Sequence, residues 1–374
     1  MYLGLTDDQQ VIQHEARRFL SEQITRERRL AWDKTADGHD REFWKSVSDL
    51  GWLGYGLPEA VGGHGASLLE LALLIEECGR AVAPFGVFAS VAGGLALEAV
   101  GTSAQRKTWL PLVARGETLV APAIAEKDAV LEPRAFATTV RRRGRQLVVD
   151  GEKRYVLQGT TAGAFLVAAR DGRGVSTVLI PADAKGVTVK SVAGFGKDRQ
   201  STVRFRNVTL PATALAGRPG AAWPKLERLR RRFAALLCAD LVGGAEAVLD
   251  MTVKYMGERE QFGVKLATFQ AVQQMCAVMA IDVEGARHVT RQALWRLAEG
   301  LPADREVAIA KAWTGRAYRD VTLLAHQLHG GAGYVVEHEL HRHALRAKQA
   351  ELLFGSTEEW LEDLAGQLAL TATR

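Results

Sequence analysis

The chain has 374 residues, 47% hydrophobic and 24% charged, a soluble globular profile with apolar mass for about two or three domains. Lys+Arg 48 against Asp+Glu 43 leaves a net charge of +5, too mild for the clustered basic face of a nucleic-acid binder. Cys78, Cys238 and Cys276 lie far apart, without CxxC spacing or a histidine at ligand spacing, which argues against a disulfide framework or zinc site and suits a reducing cytoplasm.

The N-terminus, MYLGLTDDQQ, is acidic early and has no apolar signal core. The longest uncharged run, Ala81–Leu97, is interrupted by Pro84, Gly86, Gly93 and Gly94 and is too short to span a bilayer. A cytoplasmic location without a membrane segment is the expectation. Much of the positive excess sits in two runs, Arg141–Arg145 and Arg228–Arg232, each either a solvated face or a landing place for phosphates.

The first third reads as helices. Thr6 with Gln9, and Ser67 with Glu70, have capping-box spacing ahead of apolar periodicity, and Asp40 can cap a helix bearing Phe43, Trp44, Val47 and Leu50. Leu57–Ser67, LPEAVGGHGAS, is a loop by its glycine and proline content. The middle third changes to short β-rich runs: 136–140, 146–149, 164–169, 176–180, 187–189 and 202–208. Antiparallel structure of about a hundred residues is the natural reading. From Trp223 the helical period returns, with Leu226, Leu229, Phe233, Leu236 and Leu237 marking one face.

Two stretches in this last third carry the chemistry. EREQFG (258–263) holds a guanidinium, Arg259, at a helix end, where it can bind a pyrophosphate bidentately. QLHGGAGY (327–334) holds glycines that let backbone approach a phosphate. Together they resemble the ER..FG and Q..GG.G signatures of the acyl-CoA dehydrogenase family. The loop LPEAVGGHG, the helix ending EECGR and the segment GTSAQRKTWLPLVARG (101–116) are similar to the family's N-terminal wording, in the same order. The resemblance implies an α+β multidomain chain: an N-terminal helical domain (1–118), a middle antiparallel β domain (119–218) and a C-terminal four-helix bundle (219–374).

It also implies FAD as cofactor and an acyl-CoA thioester as substrate. Arg259 and Phe262 would reach the flavin of a neighbouring subunit, joined by Gln327, Gly330 and Gly331. Gln270 and Gln273, on an apolar helix, either join them or bond a neighbouring helix. The half-site a subunit keeps for itself is worn. Where the family has TEP.AGSD this chain has AIAEKDA (123–129), keeping Glu126 but with Ala125 for the threonine. Where the family has G.K.WITNG it has GEKRYVLQG (151–159), with Tyr155 for the flavin-covering tryptophan and Leu157 for a hydrogen-bonding threonine.

The family's chemistry removes a proton alpha to the thioester while hydride goes to flavin N5, so a carboxylate must face that carbon. The family places this glutamate either in a loop after the last long helix or on the helix before ER..FG. Here those positions hold Phe354 or Gly355, and Phe233. Asp240, Glu351 and Glu358 are the candidate substitutes, with Glu246 and Glu359 also near in sequence. Asp240 interrupts an apolar run, where satisfying a neighbouring polar group is the commoner role. His338, His341 and His343 do not share one helix face, so no metal site is expected.

The resulting expectation is a subunit of a heteromeric (α2β2) acyl-CoA dehydrogenase that completes a catalytic partner's FAD site and acts on a bulky, steroid-type acyl chain. The Ala/Gly/Ser-rich stretch Ala89–Ala96 would make room for that chain. The alternatives are a self-sufficient homotetramer with a relocated base, a non-catalytic scaffold, and a flavin oxidase or monooxygenase on the same fold. An electron-accepting flavoprotein is the further partner expected.

Overall fold

A computed structural model describes residues 4–35, 38–127, 133, 135–192, 194, 196 and 199–369. The helices of the first third are α1 (Asp7–Gln23), α2 (Arg26–Trp32), α3 (Arg41–Asp49), α4 (Leu68–Arg80), α5 (Gly86–Val100) and α6 (Ser103–Ala114). Strands follow: β1 (Val120–Ala123), β2 (Thr139–Arg143), β3 (Gln146–Leu157), β4 (Ala164–Asp171), β5 (Gly174–Pro181), β6 (Val187–Ser191), β7 (Gln200–Pro211) and β8 (Leu215–Ala216). The long α7 (Trp223–Glu258) leads to a small hairpin, β9 (Glu260–Gln261) and β10 (Val264–Lys265). The chain ends with α8 (Gln270–Ala298), α9 (Asp304–His329), α10 (Gly331–Tyr334), α11 (Leu340–Leu352) and α12 (Thr357–Gln367). The expected order of helices, strands and helices is therefore met, and the capping boxes of Thr6 and Ser67 form as their spacing predicts. None of the helices among the described residues is long and apolar enough to cross a membrane.

The chain divides into two compact units. One comprises Thr25–Ala66 and Pro84–Arg230 and is built on an eight-stranded sheet of order β6-β7-β3-β2-β4-β5-β8, with β1 beside β4. Pairing is antiparallel except that β1 and β2 run parallel to β4. The sheet core takes Val149, Phe165, Val167, Val178, Ile180, Val203 and Phe205. Register breaks in the β3–β7 pairing, between Val149 and Gly151 and between Lys153 and Val156, loosen β3 where the GEKRYVLQG wording falls.

In the same unit α5 is buried along most of its length. A Cβ on Gly93 would lie 1.9 Å from the Val120 carbonyl oxygen, and one on Gly94 would lie 3.3 Å from Leu57. The small residues of Ala89–Ala96 let this helix lie directly against β1. The room expected there for a bulky acyl group is therefore filled by packing.

The other unit comprises Met1–Ile24, Ser67–Ala83 and Arg231–Arg374. Here too glycine sets the geometry. A Cβ on Gly79 would stand 1.9 Å from the Asp240 carbonyl, and one on Gly243 would stand 1.8 Å from that of Glu76. Helices α4 and α7 cross in backbone contact at the glycines of EECGR and VGGAE. A buried ion network flanks the crossing: Glu77 takes Arg17 at 2.8 Å, and Arg287 bridges Glu76 at 3.0 Å and Glu246 at 2.8 Å. Of the second basic run, Arg231 is paired with Asp363 at 2.9 Å and Asp304 at 3.1 Å.

Candidate functional site

In the helical unit the turn of α7 just before the first signature meets the second signature at the end of α9. The last turn of α7 sends Tyr255 onto His329 at the end of α9, with ring centroids 4.5 Å apart and planes within 10°. Arg259 leaves the helix with its N–H on the Tyr255 carbonyl (2.8 Å) and its carbonyl accepting from Leu266 N–H (2.9 Å). Phe262 and Gly263 form the β9–β10 turn with φ of +57° and +79°, the sign both central residues of a type I′ turn require. A phenylalanine costs roughly 1–2 kcal/mol there relative to glycine. Its side chain is 91% exposed, touching Phe269 edge-on at 6.2 Å.

Gly330 lies at φ +57°, ψ −139°, a conformation essentially reserved for glycine, and a Cβ on it or on Gly331 would meet nothing within 4 Å. Gln270, Gln327 and Arg259 are exposed, and their side chains make no hydrogen bond or ion pair among the described residues. Gln273 instead donates to the Ala267 carbonyl at 2.8 Å. Exposed apolar side chains continue along α8 and α9 and beyond: Ile281, Trp313, Leu323, Tyr334 and Val336.

The segments expected to hold a subunit's own flavin lie in the β unit. The Glu126 carboxylate accepts from Lys153 Nζ at 2.8 Å and from the N–H groups of Ala137 (2.7 Å) and Thr138 (3.0 Å). Burial works against its charge, but the ammonium and these bonds outweigh it and hold the carboxyl below its ordinary value. Lys153 is fully buried, also donates to the Ile124 carbonyl at 2.9 Å and stands 4.3 Å from the Phe136 ring; burial pulls its ammonium down to about 8. Glu126 is thus a brace between the backbone at Ala137 and Thr138 and Lys153 of β3. Ala125 offers only its carbonyl, taken by Arg154 N–H at 2.9 Å, and Leu157 is buried and apolar. Tyr155, half exposed, sits at φ +57° in the loosened part of β3. Asp128 and Ala129 lie outside the described residues. A flavin ring needing hydroxyl donors does not find them at Ala125 or Leu157.

Two of the residues expected at the family's base positions, Phe233 and Phe354, meet in the helical unit. Phe233, on α7, and Phe354, after α11, face each other with ring centroids 5.5 Å apart. Lys311 Nζ fixes the loop by donating to the carbonyls of Ala350 (3.2 Å), Glu351 (2.8 Å) and Gly355 (3.1 Å), and Trp360 Nε1 donates to that of Phe354 at 3.2 Å.

The candidate substitute carboxylates are all occupied or turned outward. Asp240 is 1% exposed and accepts from Arg346 Nε at 2.8 Å and from its Nη2, while Arg346 Nη1 reaches the Ala83 carbonyl at 2.7 Å. Glu351 is buried among Arg319 (3.2 Å), Lys348 (3.0 Å) and the Thr357 hydroxyl (3.1 Å). Glu358 is exposed in the first turn of α12, where its own backbone N–H and the Ser356 side chain keep it below its ordinary value. Glu359 closes the capping box with Ser356. Arg346 and Lys311 escape sequence reasoning because their partners are distant in the chain, Asp240 for Arg346 and the 350–355 carbonyls for Lys311.

Models of the N-terminal, middle and C-terminal domains of acyl-CoA dehydrogenase match residues 6–117, 121–208 and 230–369. Acyl-CoA dehydrogenase FadE27 of Mycobacterium tuberculosis is 31% identical, over 93% of each chain. Among solved structures, the ChsE4-ChsE5 complex from Mycobacterium tuberculosis superposes with a TM-score of 0.91 at 29% identity, covering all of both chains. A variant of the Tcur3481-Tcur3483 steroid ACAD does so with a TM-score of 0.88 at 30% identity, again over both full lengths. The chain belongs to the acyl-CoA dehydrogenase family, a family of FAD-dependent oxidoreductases.

Proposed function

We propose that this chain is the base-lacking subunit of a heteromeric acyl-CoA dehydrogenase, completing the FAD site of a catalytic partner that oxidises a bulky, steroid-type acyl-CoA. The observation that supports the reading most is the Phe233–Phe354 contact: the positions at which the family would keep its base hold Phe233 and either Phe354 or Gly355, none of them a proton acceptor, and the two rings pack against each other. Neither ring can accept a proton. Asp240 and Glu351 are committed to cations, and Glu358 points to solvent at a helix start.

FAD, when bound, accepts the hydride from the acyl chain. Arg259 and the backbone at Gly330 and Gly331 would hold its pyrophosphate, with Gln327 and Gln270 at hand for polar contacts. Phe262 would pack on its ring system from the side. The similarity to the ChsE4-ChsE5 complex and to the Tcur3481-Tcur3483 steroid enzyme supports both the pairing with a second kind of subunit and the substrate class. An electron-accepting flavoprotein would complete the turnover.

The test is expression alone and together with a candidate catalytic dehydrogenase subunit. The reading expects a chain that binds little flavin by itself and a yellow, active complex with the partner. A yellow homotetramer that oxidises acyl-CoA without a partner contradicts it. Arg259→Ala is expected to strip flavin from the complex while subunit assembly, followed by size-exclusion chromatography, is retained. Full flavin content in that variant counts against the donated half-site.

A further inference from the structure

A cavity of about 580 Å³ lies in the β unit, lined in part by the ends of two stretches described above, Arg115 and Gly116 of 101–116 and Gln158 of 151–159. One wall is the stacked pair His39 and Trp44, centroids 4.6 Å apart and planes within 11°. Trp44 is fixed by donating its indole N–H to the Gly116 carbonyl at 2.9 Å. Gln158 and Thr161 contribute to the lining, and Gln158 is buried in a left-handed conformation, φ +53°. Tyr155 and Arg199 share that conformation, and Gln158 N–H donates to the Arg199 carbonyl at 2.9 Å. Arg199 Nη2 in turn donates to the carbonyls of Trp32 (3.1 Å) and Asp33 (3.0 Å), tying this strand end to the end of α2. Strained non-glycine residues gather where a surface is held for a purpose.

Three cations, Arg41, Lys45 and Arg115, and two carboxylates, Asp49 and Glu117, line the cavity. Lys45 is against Asp49, and Arg115 is 2.5 Å from Glu117, both exposed pairs of the weak surface kind. Arg41 has no ion pair or hydrogen bond from its guanidinium among the described residues. We propose that this cavity is a binding site for a carboxylate carried on a rigid fused-ring body with one apolar face, with Arg41 taking the carboxylate and the Trp44–His39 stack taking that apolar face. The volume falls within the range of small-molecule pockets, roughly 300–1,000 Å³, and a planar guanidinium matches a carboxylate in two parallel bonds. The site rests on the β unit alone, so it stands or falls separately from the heteromeric reading.

Isothermal titration of the protein as purified, with sodium cholate below its micellar range, tests the site; acetate serves as the charge-only control. The expected result is saturable binding of one cholate per chain and none of acetate at matched concentration. Arg41→Ala is expected to weaken cholate at least tenfold. Gly86→Leu fills the cavity from the start of α5, where a Cβ meets only ordinary contacts of 3.4–3.5 Å, and is expected to abolish binding. Arg143→Ala, at the exposed end of β2, is expected to change nothing. Absence of saturable cholate binding overturns the proposal, as does an equal loss from Arg41→Ala and Arg143→Ala.

Discussion

Asp240 illustrates what a single residue reveals and conceals. In the sequence it is an acid interrupting LLCADLVGG; in the structure it is one half of a buried pair with Arg346, 106 residues away. Removing one member leaves the other charge buried without compensation. Arg346→Met is therefore expected to destabilise the fold by about 3–5 kcal/mol, whereas Asp240→Leu combined with Arg346→Met is expected to recover most of that loss. Chemical denaturation of the native chain and both variants checks it. If the single variant were as stable as the native chain, Asp240 would be available for another role. The polar residue inside an apolar run is readable; its partner is not, because Arg346 lies in ALRAKQAEL with no local sign of burial.

Glycine and periodicity decide how much of each element can be read. The β runs show in their composition, but the positive φ at Tyr155 and the breaks in β3 arise from pairing with β7, which one strand's sequence does not contain. Small residues mislead at α5: Ala89–Ala96 suggests open room and proves to be a close helix–strand contact. At the end of α9 the glycine-rich wording does mark a backbone that other residues resist. Gly330→Ala is expected to cost about 1–3 kcal/mol through backbone strain at φ +57°, ψ −139°, and to lower flavin retention in the complex; thermal unfolding and the visible flavin spectrum report the two effects separately.

Helix α4 carries a pH signature as well. Burial pushes the Glu76 carboxyl up to about 7, although Arg287 opposes it. Its folded value lies above its ordinary 4.5, so its stabilising contribution is complete below pH 4.5 and is lost as pH rises through 7. At about 1.4 kcal/mol per unit of difference, this group alone removes on the order of 3 kcal/mol across that window. Glu76→Gln is expected to flatten the decline in urea titrations run from pH 5 to 8, and an unaltered slope would contradict the assignment.

For the whole molecule, the order of helices, strands and helices is legible because the hydrophobic period changes twice along the chain and because the signatures fall in family order. The residues of the proposed donated face, Arg259, Phe262, Gln327 and the glycines, sit in contiguous motifs that need no long-range partner to be recognised. What cannot be read is convergence. Phe233 and Phe354 are far apart in the chain, and only the fold brings their rings into contact. On the proposed reading, the outward face and the missing base belong to an assembly in which another subunit supplies the proton acceptor.

The most direct measurement is the molar ratio of FAD to this chain and its partner in the purified, active complex. One FAD for every two chains is the expected ratio, falling toward zero with Arg259→Ala. One FAD per chain, in a preparation of this chain alone that turns over acyl-CoA, would contradict the account.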